Sequence, residues 1–198
     1  MHTDLTGLFG ITLAVVTLLF RLPRLTTLSF PKKAGVLGVA IIVLSIPFGG
    51  LSLAGVVRGI TGDLSMATLV FLGLALVRSI AGCSFVEDSN RHAALRAILI
   101  AAILFYPLAL GVGMFDPYRL GFGNGWFMLS LLGLAVWASL RYSTLLALCL
   151  ALGVVAWSLG WYESSNIWDY LLDPWLAVYA FAVEIKCLLA RWKRKAHA

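Results

Sequence analysis

With 198 residues, 61% of them hydrophobic and only 12% charged, the chain is too apolar for a soluble domain, in which about a quarter of residues are charged. Its net charge of +6 lies in residues that flank apolar runs, so nucleic-acid binding is excluded as the use of that charge. Membrane topology and contact with anionic inner-leaflet lipid account for it instead.

The apolar runs predict an all-α, polytopic transmembrane bundle that forms one integral domain over 1–198. The first span is expected at 5–20. It lacks a basic leader and a small-residue cleavage pattern, so it reads as a retained helix. After a basic loop containing Arg21, Arg24, Lys32 and Lys33, the second span is expected at 34–57. That run passes Pro47, Gly49 and Gly50, which leaves 49–62 as surplus: a tilted extension, or a broken or re-entrant piece at the outer face. The third span is expected at 64–82 and the fourth at 93–113, where Ala93, Ala97 and Ala101 form a stripe on which another helix can approach closely. The fifth, 126–140, is joined by the tight turn Arg141-Tyr142-Ser143 to the sixth, 144–161, and the seventh covers 169–189. Running one helix through Arg141 gives six spans, but it places an arginine in hydrocarbon.

Seven spans place thirteen of the fifteen Lys and Arg residues on one side and only Arg58 and Arg119 on the other. Basic loops stay cytoplasmic, so the N-terminus is expected outside, the C-terminus inside, and the protein in the inner (plasma) membrane. Trp126, Trp161, Trp168 and Trp175 then fall at outer helix ends, as an aromatic belt requires.

Chemistry-bearing residues concentrate on that outer face: Arg58, Asp63, Asp116, Arg119, Glu163, Asp169 and Asp173, beside Trp161 and Trp168. Arg58 needs a partner, either Asp63 or Asp116 or an external anion that suits its planar fork. Asp169 and Asp173 are spaced four apart, so one helix would put them on one face. They read as a cation site or general base with Glu163 nearby, or as ordinary capping with Asp169 as cap and Pro174 in the first turn. The glycines at 121, 123 and 125 suggest an anion nest or a plain loop. On the inner side Glu184 lies deep in its helix and is expected to pair with Arg78 or Arg96.

The sequence carries no nucleophile motif, and its three cysteines form no disulfide framework. His2, His92 and His197 sit in a terminus, a loop and the tail, where they cannot ligate a haem together, so no cofactor and no metal is expected. The leading expectation is a membrane protein that binds or translocates an amphipathic anionic or lipid-linked molecule through the outer-face groups, with membrane lipids as partners. Two alternatives stand beside it. One is an enzyme acting on a lipid or polyprenyl phosphate. The other is a noncatalytic subunit whose alanine stripe and short fifth helix meet a membrane partner or a second copy. Catalysis is left open at this level.

Overall fold

The computed structural model describes residues 2–141 and 143–196, so Tyr142 of the expected tight turn and His197 of the tail lie outside the described residues. The chain is all-α apart from one hairpin. In order it forms α1 (His2–Leu19), α2 (Pro23–Thr26), α3 (Phe30–Ser45), β1 (Pro47–Phe48), β2 (Leu51–Ser52), α4 (Leu53–Thr61), α5 (Met66–Ala81) and α6 (Asp88–Ala109). A 3-10 turn (Pro117–Gly121), α7 (Gly125–Leu140), α8 (Thr144–Ser158), α9 (Trp168–Leu171) and α10 (Pro174–Ala196) complete it.

Two of the expected runs are broken, each beside a proline. The residue before proline avoids the helical region. Ile46 is accordingly extended ahead of Pro47, and α3 stops at Ser45. The chain then reverses in an antiparallel hairpin that pairs Pro47 with Ser52 and Phe48 with Leu51. Gly49 and Gly50 supply the two positive φ values, 63° and 92°, that a tight two-residue turn demands. Ser52 caps α4 by accepting from the Gly55 N–H at 3.1 Å, and α4 packs back on α1 and α3. The expected span 34–57 is therefore two helices with a reversal between them, which selects the broken alternative for 49–62.

The seventh run breaks at Leu172, extended at ψ 133°, and restarts at Pro174. Asp169 therefore belongs to α9 and Asp173 precedes α10. The expectation that they share one helix face is overturned, and the cap of the long helix is Asp173 instead of Asp169.

The remaining helices follow the expected runs closely, with ends set by caps. Ser65 and Asn124 accept from Thr68 N–H (3.2 Å) and Phe127 N–H (3.1 Å), and Gly82 closes α5 in the left-handed region. Such caps keep helices short. Among the described helices only α6 is long and apolar enough to cross a membrane, whereas α5, α7 and α8 are apolar but have 16, 16 and 15 residues. At 1.5 Å per residue they reach about 24 Å against a hydrocarbon core of about 30 Å.

Among the described residues the interior has, besides a small cluster of Ala156, Tyr162 and Tyr170, two large ones. One joins α5, α6, α7, α8 and α10 around Ala94, Leu95, Ala138, Leu145 and Ala180. The other joins α1, α3, α4 and α5 around Ile11, Val16 and Phe20. Helix α5 touches both. Ala94 and Ala102 are the buried small residues of α6, while Ala93 of the expected stripe is exposed and Ala97 and Ala101 are half-buried. Large apolar side chains also remain exposed along the outside of the bundle, among them Ile42, Leu104, Leu132, Val178 and Leu188.

Hydrogen bonds fix which loops share an end. Lys33 Nζ donates to Ser79 O at 2.6 Å and Asn90 to Thr144 at 2.6 Å at one end. Arg58, Asp63, Tyr162 and Asp173 gather at the other.

Candidate functional site

Most of the residues expected to form an outer site do converge at one end of the bundle, around Asp63. Arg58, in the last turn of α4, reaches Asp63 through Nε (2.6 Å) and Nη2 (3.0 Å), a two-pronged pair, and donates from Nη1 to Asp4 at 3.2 Å. Hydrogen bonding to Asp63 raises the guanidinium above its ordinary value and keeps it charged. Of the two partners expected for Arg58, Asp63 is engaged and Asp116 is not; Asp4 takes the third contact. Gly7 of α1 makes this close approach feasible. A Cβ there would lie 2.3 Å from Arg58 Nε and 2.4 Å from Asp63 Oδ1.

Asp63 lies on two hollows at once. The first is a groove of about 1150 Å³ between α1, α3 and α4, walled by Leu8, Leu13, Leu37 and Leu44, with Asp4, Arg58, Asp63 and Glu163 among its lining residues. The second is a cleft of about 600 Å³ that brings Asp63 together with Asp116, Asp169, Asp173, Tyr106, Tyr118, Tyr162 and Trp168.

Each carboxylate of the cleft has a defined partner. Asp173, buried at 4% exposure, accepts from the Ser65 N–H at 2.8 Å and from the Thr68 hydroxyl on one oxygen. Its other oxygen accepts from the Leu176 N–H at 2.8 Å. One side chain thus caps α10 and holds the start of α5, where both helix dipoles favour its charge. Asp169 accepts from Tyr118 Oη at 3.1 Å and from the Ser164 hydroxyl. Asp116 accepts from Tyr118 N–H at 2.9 Å and caps the 3-10 turn at the exposed rim.

The loop carrying Trp161, Tyr162 and Glu163 is latched to its surroundings. Tyr162 Oη donates to Leu64 O at 2.6 Å, Asn166 Nδ2 to Tyr118 O at 2.8 Å, and Trp168 Nε1 to Pro117 O at 2.9 Å. The Trp168 ring lies between Phe105 and Phe127, at centroid distances of 4.3 and 4.9 Å. A Cβ at Gly121 would fall 1.8 Å from Asn166 Oδ1, so this glycine admits Asn166. Trp161 presents a buried indole N–H that lacks a hydrogen-bond partner among the described residues. Arg119 is exposed on the 3-10 turn and lines neither hollow.

Burial first, and then the neighbouring charges (Asp169 for Tyr118, Asp63 and Asp173 for Tyr162), push both hydroxyls above their ordinary value of 10. The protonated form is favoured by folding. Its contribution is therefore fully present below pH 10 and is lost as pH rises through the raised values. Ultraviolet tyrosinate absorbance is expected to show late-titrating groups, one of which Tyr118→Phe removes; ordinary titration of Tyr118 would contradict this geometry.

At the opposite end Glu184 is buried and accepts from Arg96 Nε at 3.3 Å. His92, one turn before Arg96 on α6, stands 3.8 Å from its other oxygen and 3.9 Å from Cys187 Sγ. Arg78, the other expected partner, lines a different cavity. Sequence reasoning missed His92, although its spacing of four from Arg96 is the signal for a shared face.

Among the described residues no cluster of three His, Cys, Asp or Glu side chains is arranged to hold a metal ion. Compared with protein-family models, curated proteins and solved structures, the chain matches none.

Proposed function

We propose that this chain is a small polytopic membrane protein, N-terminus out and C-terminus in, that binds or translocates an amphipathic, lipid-linked molecule at its outer face. The observation that carries this reading is the position of Asp63, shared by a long apolar groove and by a polar cleft rich in carboxylates and tyrosines. A tail in the groove leaves its head group beside both. The belt of exposed apolar side chains supports a lipid setting, as does the positive-inside partition. The seven-span arrangement belongs to this proposal too, with the short helices crossing together with their flanking turns.

Head-group chemistry follows from what is free. Arg58 is engaged by two carboxylates, so the outer mouth offers acceptors in excess. Hydroxyls or an amine suit it better than a bare phosphate. The anionic preference expected from Arg58 and Arg119 is therefore not placed here.

Two measurements test the reading. A membrane-impermeant maleimide is expected to label Ser165→Cys in intact cells and Cys83 only after permeabilisation; the reverse pattern sinks the topology. Native mass spectrometry of detergent-purified protein is expected to show copurifying lipid that is lost when Thr12→Trp fills the groove. Equal lipid retention by this variant would overturn the binding role.

A further inference from the structure

A second groove, of about 560 Å³, runs between α1, α5 and α10. Its wall is apolar, with Ala14, Leu18, Phe71 and Leu72 along its length. One end lies where Trp175 Nε1 donates to Thr61 O at 3.3 Å. Arg21, Arg78 and Arg91 stand at the other.

Topology accounts for the sign of these three residues, but it does not require them to meet at one cavity. Arg24 and Lys32 satisfy the same positive-inside rule and line no part of this groove, whereas Arg21 and Arg78, equally exposed, line it. Among the described residues, neither Arg21 nor Arg78 has a carboxylate at ion-pair distance, although Glu87 and Asp88 border an adjoining hollow with Arg78. Arg91 is half-buried and turns inward to donate to the Tyr179 hydroxyl. By contrast, Arg58 and Arg96 are both matched by carboxylates. Among the described residues no carboxylate pairs with these three guanidinium groups at the polar end of the apolar groove, where an anion would complete them.

We infer that this groove holds a phospholipid of the cytoplasmic leaflet, with its acyl chain along α5 and an anionic head phosphate against Arg21, Arg78 and Arg91. The distance from Arg78 back to Leu64 is on the order of 20 Å of chain, a length that suits an acyl tail and exceeds anything a free phosphate uses. The site is separate from the outer mouth and takes the opposite head-group charge. It rests on the membrane-embedded reading.

The test is native mass spectrometry of delipidated protein titrated with phosphatidylglycerol or with phosphatidylcholine. Arg21→Gln, Arg78→Gln and Arg91→Gln are each expected to weaken phosphatidylglycerol retention about fivefold. Phosphatidylcholine retention and the Arg24→Gln control should be unchanged. Arg78→Lys keeps the charge without the fork, so it should fall between wild type and Arg78→Gln; it also provides a folded variant should the glutamine form aggregate. Unaltered phosphatidylglycerol binding in all three variants overturns the inference, as does equal weakening by Arg24→Gln. Full displacement by inorganic phosphate would make this a free-anion site and overturn the lipid assignment. Maleimide labelling separates the two levels: if the outside label at position 165 stands while the arginine variants retain lipid, this inference alone fails.

Discussion

Asp173→Ala is expected to destabilise the protein by about 2–4 kcal/mol, because one truncation removes a helix cap and strands buried donors at a second helix start. The carboxylate is nearly inaccessible, and three donors from two segments more than a hundred residues apart converge on it. Losing the α10 cap alone would cost about 1 kcal/mol. Leaving the Ser65 N–H unsatisfied adds about 1–3 kcal/mol. Asp173→Asn keeps one acceptor oxygen and should lose about half as much. Thermal or denaturant unfolding in detergent, followed by tryptophan fluorescence, reads the difference. A variant that unfolds like wild type and yet loses ligand would instead make Asp173 a group that acts on the ligand.

Arg58→Ala should cost about 2 kcal/mol. Pairs broken in a fully buried setting lose about 3–5 kcal/mol and exposed ones at most about 1, and this pair lies between them, with side-chain exposures of 18% and 25%. Gly7 gives the prediction a sharper form. In an otherwise wild-type chain Gly7→Ala drives a methyl group into the guanidinium and should destabilise. Once Arg58→Ala and Asp63→Ala together have emptied that space, the same change should stabilise by up to about 1 kcal/mol through helix propensity. Measuring Gly7→Ala by unfolding free energy in wild type and in the Arg58→Ala/Asp63→Ala background tests this reversal. If Gly7→Ala has the same sign in both backgrounds, the close approach of α1 to the ion pair is wrong.

Much of the helix order was legible from hydropathy, since 64–82, 126–140 and 144–161 correspond closely to α5, α7 and α8. The breaks were legible in principle as well. Pro47 followed by two glycines is a hairpin signal, and Pro174 argues against a helix that carries both Asp169 and Asp173. In each case the apolar composition on either side outweighed the punctuation. Partner choice was less accessible. Periodicity assigns a residue to a face without naming the helix opposite, so Glu184 was matched to Arg96 and Arg78 alike, and only packing separates them. The cleft around Asp63 depends on the Tyr162 hydroxyl meeting Leu64 across 98 positions, which no local pattern encodes. The groove arginines were hidden for another reason: each sits beside an apolar run, where the positive-inside rule alone expects a basic residue, and no local pattern marks a shared cavity.

The brevity of α5, α7 and α8 has a consequence for the surrounding lipid. Apolar helices of about 24 Å in a layer of about 30 Å create hydrophobic mismatch. In the proposed membrane setting the bilayer must thin beside these three helices, while α6 holds it near full thickness. The protein would then stand at the edge of a dimple of its own making, where the distance between leaflets is locally reduced.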